Sequence, residues 1–139
     1  MFLLGDSIIK GLSRYKKVWK NLFNQYEAIN GGIGGDKTQN VLWRVQNMSL
    51  PPSIKYVVIN VGTNNIDIDS PKDIMEGIMS ITSLIRKISP NMFIIVTCIL
   101  PRHLCWSQRQ NKILALNQCL EGTTLKIRQI ELFSCYPCH

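Results

Sequence analysis

Residues 55–65 read Lys55-Tyr56-Val57-Val58-Ile59-Asn60-Val61-Gly62-Thr63-Asn64-Asn65, and this stretch decides the fold. An unbroken β-branched run of this kind makes a strand buried on both faces, as the strands of a parallel sheet are. The glycine and asparagines behind it end the strand and place amide-bearing side chains at its carboxyl end. Outward from there, Met92 to Leu100 is a second, almost unbroken apolar run. Shorter runs cover Phe2 to Leu4, about Tyr26 to Asn30, and about Lys126 to Phe133. Amphipathic stretches alternate with these runs. That alternation is the pattern of βαβ units, so the expected fold is a three-layer α/β domain around a five-stranded parallel sheet.

The helical stretches carry their own start signals. Asp36-Lys37-Thr38-Gln39 reads as a capping box, with the Asp36 and Gln39 side chains placed to satisfy free amides. Val41, Leu42, Val45 and Met48 then form an apolar face. Ser70-Pro71 is an N-cap followed by proline at the first helical position. Ile74, Ile78, Ile81, Ile85 and Ile88 follow at helical spacing until Pro90 ends the helix. Ser107-Gln108-Arg109-Gln110 is a second capping box, with Ile113, Leu116 and Leu120 as its buried stripe.

The 139 residues fit one domain, and at 45 % apolar content they supply a packed core. No apolar run approaches the roughly 18 residues that span a bilayer. Met1-Phe2-Leu3-Leu4 is too short for the apolar region of a secretory leader. The net charge of +7 can attract phosphate-bearing partners, nucleic acid among them, or an acidic membrane face. The plainer reading is a solvated basic surface. Its one local cluster is Arg14, Lys16, Lys17 and Lys20, which is not read as a nucleic-acid stacking platform. Among five cysteines, Cys98 and Cys119 sit in apolar or helical context, which suits reduced thiols and a reducing, cytoplasmic compartment. The tail Cys135-Tyr136-Pro137-Cys138-His139 spells a haem-attachment or redox pattern. It stands at the chain end with no following fold to bury a haem, so no cofactor is expected. Two distant histidines and scattered acids lack metal-ligand spacing.

In an open parallel sheet, ligands bind beyond the carboxyl ends of the strands. The residues there are Gly5-Asp6-Ser7, then Gly31-Gly32-Ile33-Gly34-Gly35-Asp36, then Gly62-Thr63-Asn64-Asn65, then Pro101-Arg102-His103. Ser7 would open a helix, with its hydroxyl near free amides and the positive end of the helix dipole. Such amides stabilise the oxyanion of acyl transfer. A glycine after the second strand lets a backbone N–H approach the same point, and an asparagine after the third can add a side-chain donor. Each piece has a plain alternative: Ser7 as an N-cap, the glycines as a turn, Asn64 as a turn residue, His103 as an exposed loop histidine. A phosphate-binding loop does not fit, because Asp36 stands where glycine must precede the Lys-Thr pair.

Taken together, Gly5-Asp6-Ser7, the Ile-Gly-Gly-Asp setting after Gly32, and Gly62-Thr63-Asn64 resemble the SGNH (GDSL-like) hydrolase family. Residues 30–36, Val41-Leu42-Trp43-Arg44, residues 61–65 and Leu100-Pro101-Arg102 are similar to the catalytic α subunits of platelet-activating-factor acetylhydrolases. They are also similar to esterase domains of transposable elements. The resemblance implies a flavodoxin-like sheet of order 2-1-3-4-5, Ser7 as nucleophile, and Ser7, Gly32 and Asn64 as oxyanion donors. It implies a small acyl ester as substrate, in a cleft near Asp6, Asn65, Leu100 and Arg102. The family's base, a histidine three residues after an aspartate beyond the fifth strand, has no counterpart, since Tyr136 stands three residues before His139. The domain is therefore expected to be C-terminally incomplete, with an uncovered apolar sheet surface. His103 is the one substitute base on the active side of the sheet.

Two functions follow. One is a serine esterase working through an acyl-enzyme on Ser7, impaired by loss of the Asp-His pair. The other is a non-catalytic SGNH-like module, degenerate or truncated and transposable-element derived, that binds a partner or has no function.

Overall fold

A computed structural model describes residues 1–102, 107–124 and 130–133. Five strands form one sheet: β1 (Phe2–Gly5), β2 (Ile29–Gly32), β3 (Tyr56–Asn60), β4 (Phe93–Thr97) and β5 (Ile130–Phe133). Their order is β2-β1-β3-β4-β5 and every pairing is parallel, as expected from the sequence. The helices are α1 (Ser7–Leu12), α2 (Lys16–Leu22), α3 (Thr38–Gln46), α4 (Pro71–Ile88) and α5 (Gln108–Thr124).

Strand alternation sorts the side chains into two faces. Leu4, Val57, Ile59, Ile94 and Val96 point into the main core, where Val41 and Val45 of α3, the isoleucines of α4 and Ile113, Leu116 and Leu120 of α5 close over them. Ile74, Ile78, Ile81 and Ile85 are at most 1 % exposed and form the buried stripe read from the sequence, whereas Ile88, at the last residue of the helix, is exposed. Burying each such side chain contributes about 1.5–3 kcal/mol. Ser70 caps α4 as expected, its hydroxyl accepting from the Asp73 N–H at 3.1 Å. The Ser107 hydroxyl accepts from the Gln110 N–H at 3.1 Å at the start of α5. On the opposite face α1 lies against Leu3 and Val58, and Val58 of β3 with Phe93, Ile95 and Thr97 of β4 are only half-buried.

Two strand boundaries differ from the expectation. The second strand starts at Ile29 rather than Tyr26, because residues 24–26 form a 3-10 turn and Glu27 takes a left-handed φ of 48°. Gly31 and Gly32 therefore belong to β2 and not to the loop behind it. The fourth strand stops at Thr97. Beyond it, the buried Asn117 amide of α5 accepts from the Ile99 N–H at 2.8 Å and donates to the Ile99 carbonyl at 3.0 Å, replacing a sheet neighbour. Of the expected fifth strand, residues 126–129 lie outside the described residues.

Candidate active site

Ser7 is the first residue of α1, directly behind β1, and it is exposed. Among the described residues no group hydrogen-bonds to its hydroxyl. As the first helical residue it also has an amide with no intrahelical acceptor. Asp6 sets this geometry: its Oδ1 accepts from the Ile8 N–H at 2.9 Å and caps the helix. Asp6 is 0 % exposed, so it supports the site from beneath and does not line a cleft as expected. Its Oδ2 is buried with no hydrogen-bond partner among the described residues. That burial raises the Asp6 pKa above its ordinary value, while the Ile8 amide and the Arg102 charge pull the other way.

The loop behind β2 is tied to the sheet by Arg44 of α3. Its Nε donates to Asp36 Oδ2 at 2.9 Å, one terminal nitrogen to the Gly31 carbonyl at 2.8 Å, and the other to the Gly5 carbonyl at 3.1 Å. That last nitrogen also lies 2.8 Å from Asp36 Oδ2. One guanidinium thus joins the ends of β1 and β2 to the glycine loop. Asp36 is accordingly not the cap expected for α3. The exposed backbone N–H of Lys37 finds Asn40 Oδ1 at 2.9 Å instead.

Gly32 is the last residue of β2, paired with Gly5. Its N–H donates to Asn30 Oδ1 at 2.9 Å, so that amide is already spent. A Cβ on Gly32 would stand 2.2 Å from the Lys10 amide nitrogen, so the glycine is required for α1 to cross β2. Gly35 differs on each count. Its φ is +81°, its Cβ position is open, and its N–H has no acceptor among the described residues.

Asn64 sits in a 3-10 turn behind β3, and its Nδ2 donates to the Asp36 carbonyl at 2.9 Å. One amide hydrogen is held there, which leaves the second to point elsewhere. Gly62 opens the turn at φ +125°, a conformation that favours glycine. Asn65 is fully buried and is not a cleft residue. Its Oδ1 accepts from the Thr38 N–H at 3.0 Å, and its Nδ2 donates to Gln39 Oε1 at 2.9 Å and Asp69 Oδ2 at 2.7 Å. This pins the start of α3 to the loop before α4. The Asn65 hydrogen bond, helped by Gln39 and by the Lys37 and Lys112 charges, holds the Asp69 carboxyl below its ordinary value.

Arg102, behind β4, is exposed and places a terminal nitrogen 3.3 Å from both the carbonyl and the hydroxyl of Thr63. Leu100 joins Leu3, Ile8, Leu12, Phe23 and Val58 around an apolar cavity of about 450 Å³ between α1 and the sheet. His103, the expected substitute base, and the Cys135–His139 tail lie outside the described residues. Among the described residues no group of three or more His, Cys, Asp or Glu could hold a metal. Among them, too, no helix is long and apolar enough to cross a membrane.

The geometry thus ties Asn64 to the Asp36 carbonyl and, through Arg44, ties Asp36 to Gly5 at the strand end just before Ser7, while Asp6, Gly32 and Asn65 spend their polar groups on internal hydrogen bonds. Sequence reasoning missed the anchoring role of Arg44 and did not single out Gly35, whose Cβ position is open and whose N–H has no acceptor among the described residues. The signal for Gly35 was its place directly before Asp36, in a run where any of four glycines fitted.

The chain is similar in sequence and fold to known proteins. Residues 3–135 match the GDSL-like Lipase/Acylhydrolase family profile. The platelet-activating factor acetylhydrolase IB subunit alpha2 of Rattus norvegicus is 35 % identical over 133 residues, covering 95 % of this chain and 57 % of that protein. The alpha1 subunit from the same species is 40 % identical over 100 residues, 71 % of this chain and 42 % of that protein. The chain therefore spans 57 % of the one relative and 42 % of the other. A GDSL-like lipase of Bacteroides thetaiotaomicron superposes with a TM-score of 0.80 at 23 % identity, over 96 % of this chain and 66 % of the other. The SGNH-hydrolase family esterase AlinE4 does so with a TM-score of 0.68 at 16 % identity, over 94 % and 72 %. At those identities the two structures speak to the fold, whereas the profile match and the rat subunits speak to ancestry: the chain belongs to the GDSL-like lipase/acylhydrolase family.

Proposed function

We propose that the chain carries the nucleophile and oxyanion half of a serine acyl-ester hydrolase, with small acyl esters, acetyl esters among them, as its substrate class. The observation that carries this reading is the 2.9 Å bond from Asn64 Nδ2 to the Asp36 carbonyl. It fixes the Asn64 amide beside Gly35, whose N–H is unspent. Ser7 would attack the ester carbonyl, and the Ser7 amide, the Gly35 amide and the Asn64 side chain would receive the oxyanion. Gly35 replaces Gly32 in this reading because the Gly32 N–H already has an acceptor. The apolar cavity beside Ile8 gives the acyl group a wall. The rat relatives are named as platelet-activating factor acetylhydrolase subunits, which supports acetyl esters as part of this substrate class.

The proposal includes a weak reaction. The sequence has two histidines, His103 and His139, and neither follows an aspartate by three residues. A serine without its base and orienting acid loses several orders of magnitude in rate. The test is incubation with an activated short-chain aryl ester, followed by intact-mass analysis and by turnover, for the chain and for Ser7→Ala. The expected result is slow acylation confined to the Ser7 peptide, with little turnover. Fast turnover abolished by Ser7→Ala would overturn the impairment and direct attention to His103 and His139. No adduct on Ser7 would overturn the nucleophile assignment and leave the non-catalytic module as the reading.

A further inference from the structure

We propose that α1 and α2 form a docking surface for an anionic lipid bilayer. From Ser7 to Tyr26 the chain carries Lys10, Arg14, Lys16, Lys17 and Lys20 and no acidic residue. Among the described residues none of these five forms an ion pair. The positive charge of the arm is therefore uncompensated from within, which is the complement of an anionic leaflet.

The second observation is where the apolar side chains go. α2 is amphipathic: Lys16 and Lys20 lie one turn apart on one side, and Val18 and Leu22 lie one turn apart on another. Yet α2 has no buried residue. Val18 is 46 % exposed and Leu22 is 55 % exposed, so the side that should rest on a core faces water. Tyr15 and Tyr26 flank them, also exposed. Trp19 and Phe23 stack at 4.9 Å, and Phe23 with Leu12 lines the cavity under α1. The exposed apolar strip is thus continuous with that cavity. A basic side and an apolar side on one surface helix, with aromatic residues between them, is the chemistry of the bilayer interface. Nucleic acid fits less well, because Val18 and Leu22 can neither stack on bases nor bond phosphate.

The test is co-sedimentation of the full chain with vesicles of phosphatidylcholine alone and of phosphatidylcholine and phosphatidylserine in equal parts. The chain binds the mixed vesicles and not the neutral ones, and the binding weakens as salt is raised. Neutralising Lys16 and Lys20 (K16Q, K20Q) weakens partition by about fivefold for each charge. Val18→Ser with Leu22→Ser weakens it by roughly tenfold or more. Because Lys16, Val18, Lys20 and Leu22 are all exposed, both double variants unfold at the temperature of the parent chain. Ser7→Ala binds as the parent does, so a failure of the catalytic reading leaves this result intact. Vesicle binding indifferent to the Val18 and Leu22 changes, or absent from the mixed vesicles, overturns the proposal. So does binding to a single-stranded oligonucleotide that only the lysine changes abolish, with no vesicle binding, which assigns the surface to nucleic acid.

Discussion

Replacing Arg44 with alanine removes four contacts at once and tests whether the glycine loop is held by this one side chain. Asp36 is buried and Arg44 is half-buried, with side-chain exposures of 11 % and 17 %. The loss therefore leaves a carboxylate stranded in a poorly solvated place and is not the breaking of a surface pair. Gly5 keeps an acceptor role, since its carbonyl also takes the Ile33 N–H at 3.0 Å. The Gly31 carbonyl loses its guanidinium partner. Stranding one member of a buried pair costs about 3–5 kcal/mol. In a domain of this size that lowers the melting temperature by roughly 10–20 °C. The assay is urea unfolding of four chains: the parent, Arg44→Ala, Asp36→Asn, and the double variant. Removing the stranded charge should make the double variant at least about 1 kcal/mol more stable than the sum of the single losses predicts. A cost for Arg44→Ala below about 1 kcal/mol, with strictly additive losses, would refute the reasoning and return the pair to the class of screened surface contacts.

Two further predictions concern the glycines and the buried carboxylate. Gly32→Ala should cost about 3 kcal/mol by urea unfolding, because its Cβ would meet the Lys10 backbone at 2.2 Å. Gly35→Ala has open space and should cost about 1–2 kcal/mol for its left-handed φ alone, so the reverse order would undo the distinction drawn between them. The raised pKa of Asp6 means that its folded form holds a proton more tightly than the unfolded chain does. Its contribution is therefore fully present below the ordinary value of 3.8 and is lost as pH rises through the folded pKa. Asp6→Asn keeps an acceptor for the Ile8 N–H and removes the charge. Its stability relative to the parent should therefore climb with pH across that window and then level off. A difference independent of pH would show that the carboxyl is solvated.

What the sequence disclosed and what it withheld divide along one physical line. Features that act within a few residues were legible: the apolar runs of β3 and β4, the Ser70-Pro71 start of α4, and its isoleucine stripe. The placing of Ser7 at the start of a helix was legible for the same reason, since a strand end, a glycine and a capping aspartate are neighbours in the chain. The end of β2 was misread because its glycines look like a loop. Only the pairing of Gly32 with Gly5, under the crossing α1, demands glycine inside a strand there. α2 went unread because it has amphipathic spacing but no core to confirm it.

The remaining misses all involve partners far apart in the chain. Asn65 looked like a turn residue at a cleft, but its four hydrogen-bonding contacts go to Thr38, Gln39 and Asp69. Arg44 looked like one residue of an amphipathic helix, but it bonds a carbonyl 39 positions earlier. No local spacing encodes either arrangement. The same division explains why the glycines of this run could not be told apart. Four glycines within residues 31–35 are equivalent as a string. They become distinct only when Asn30 takes up the Gly32 amide and Asn64, arriving from β3, bonds the Asp36 carbonyl and leaves the Gly35 amide free. Choosing among them requires the register of β2 against β1, and that register is a property of the sheet and not of the loop.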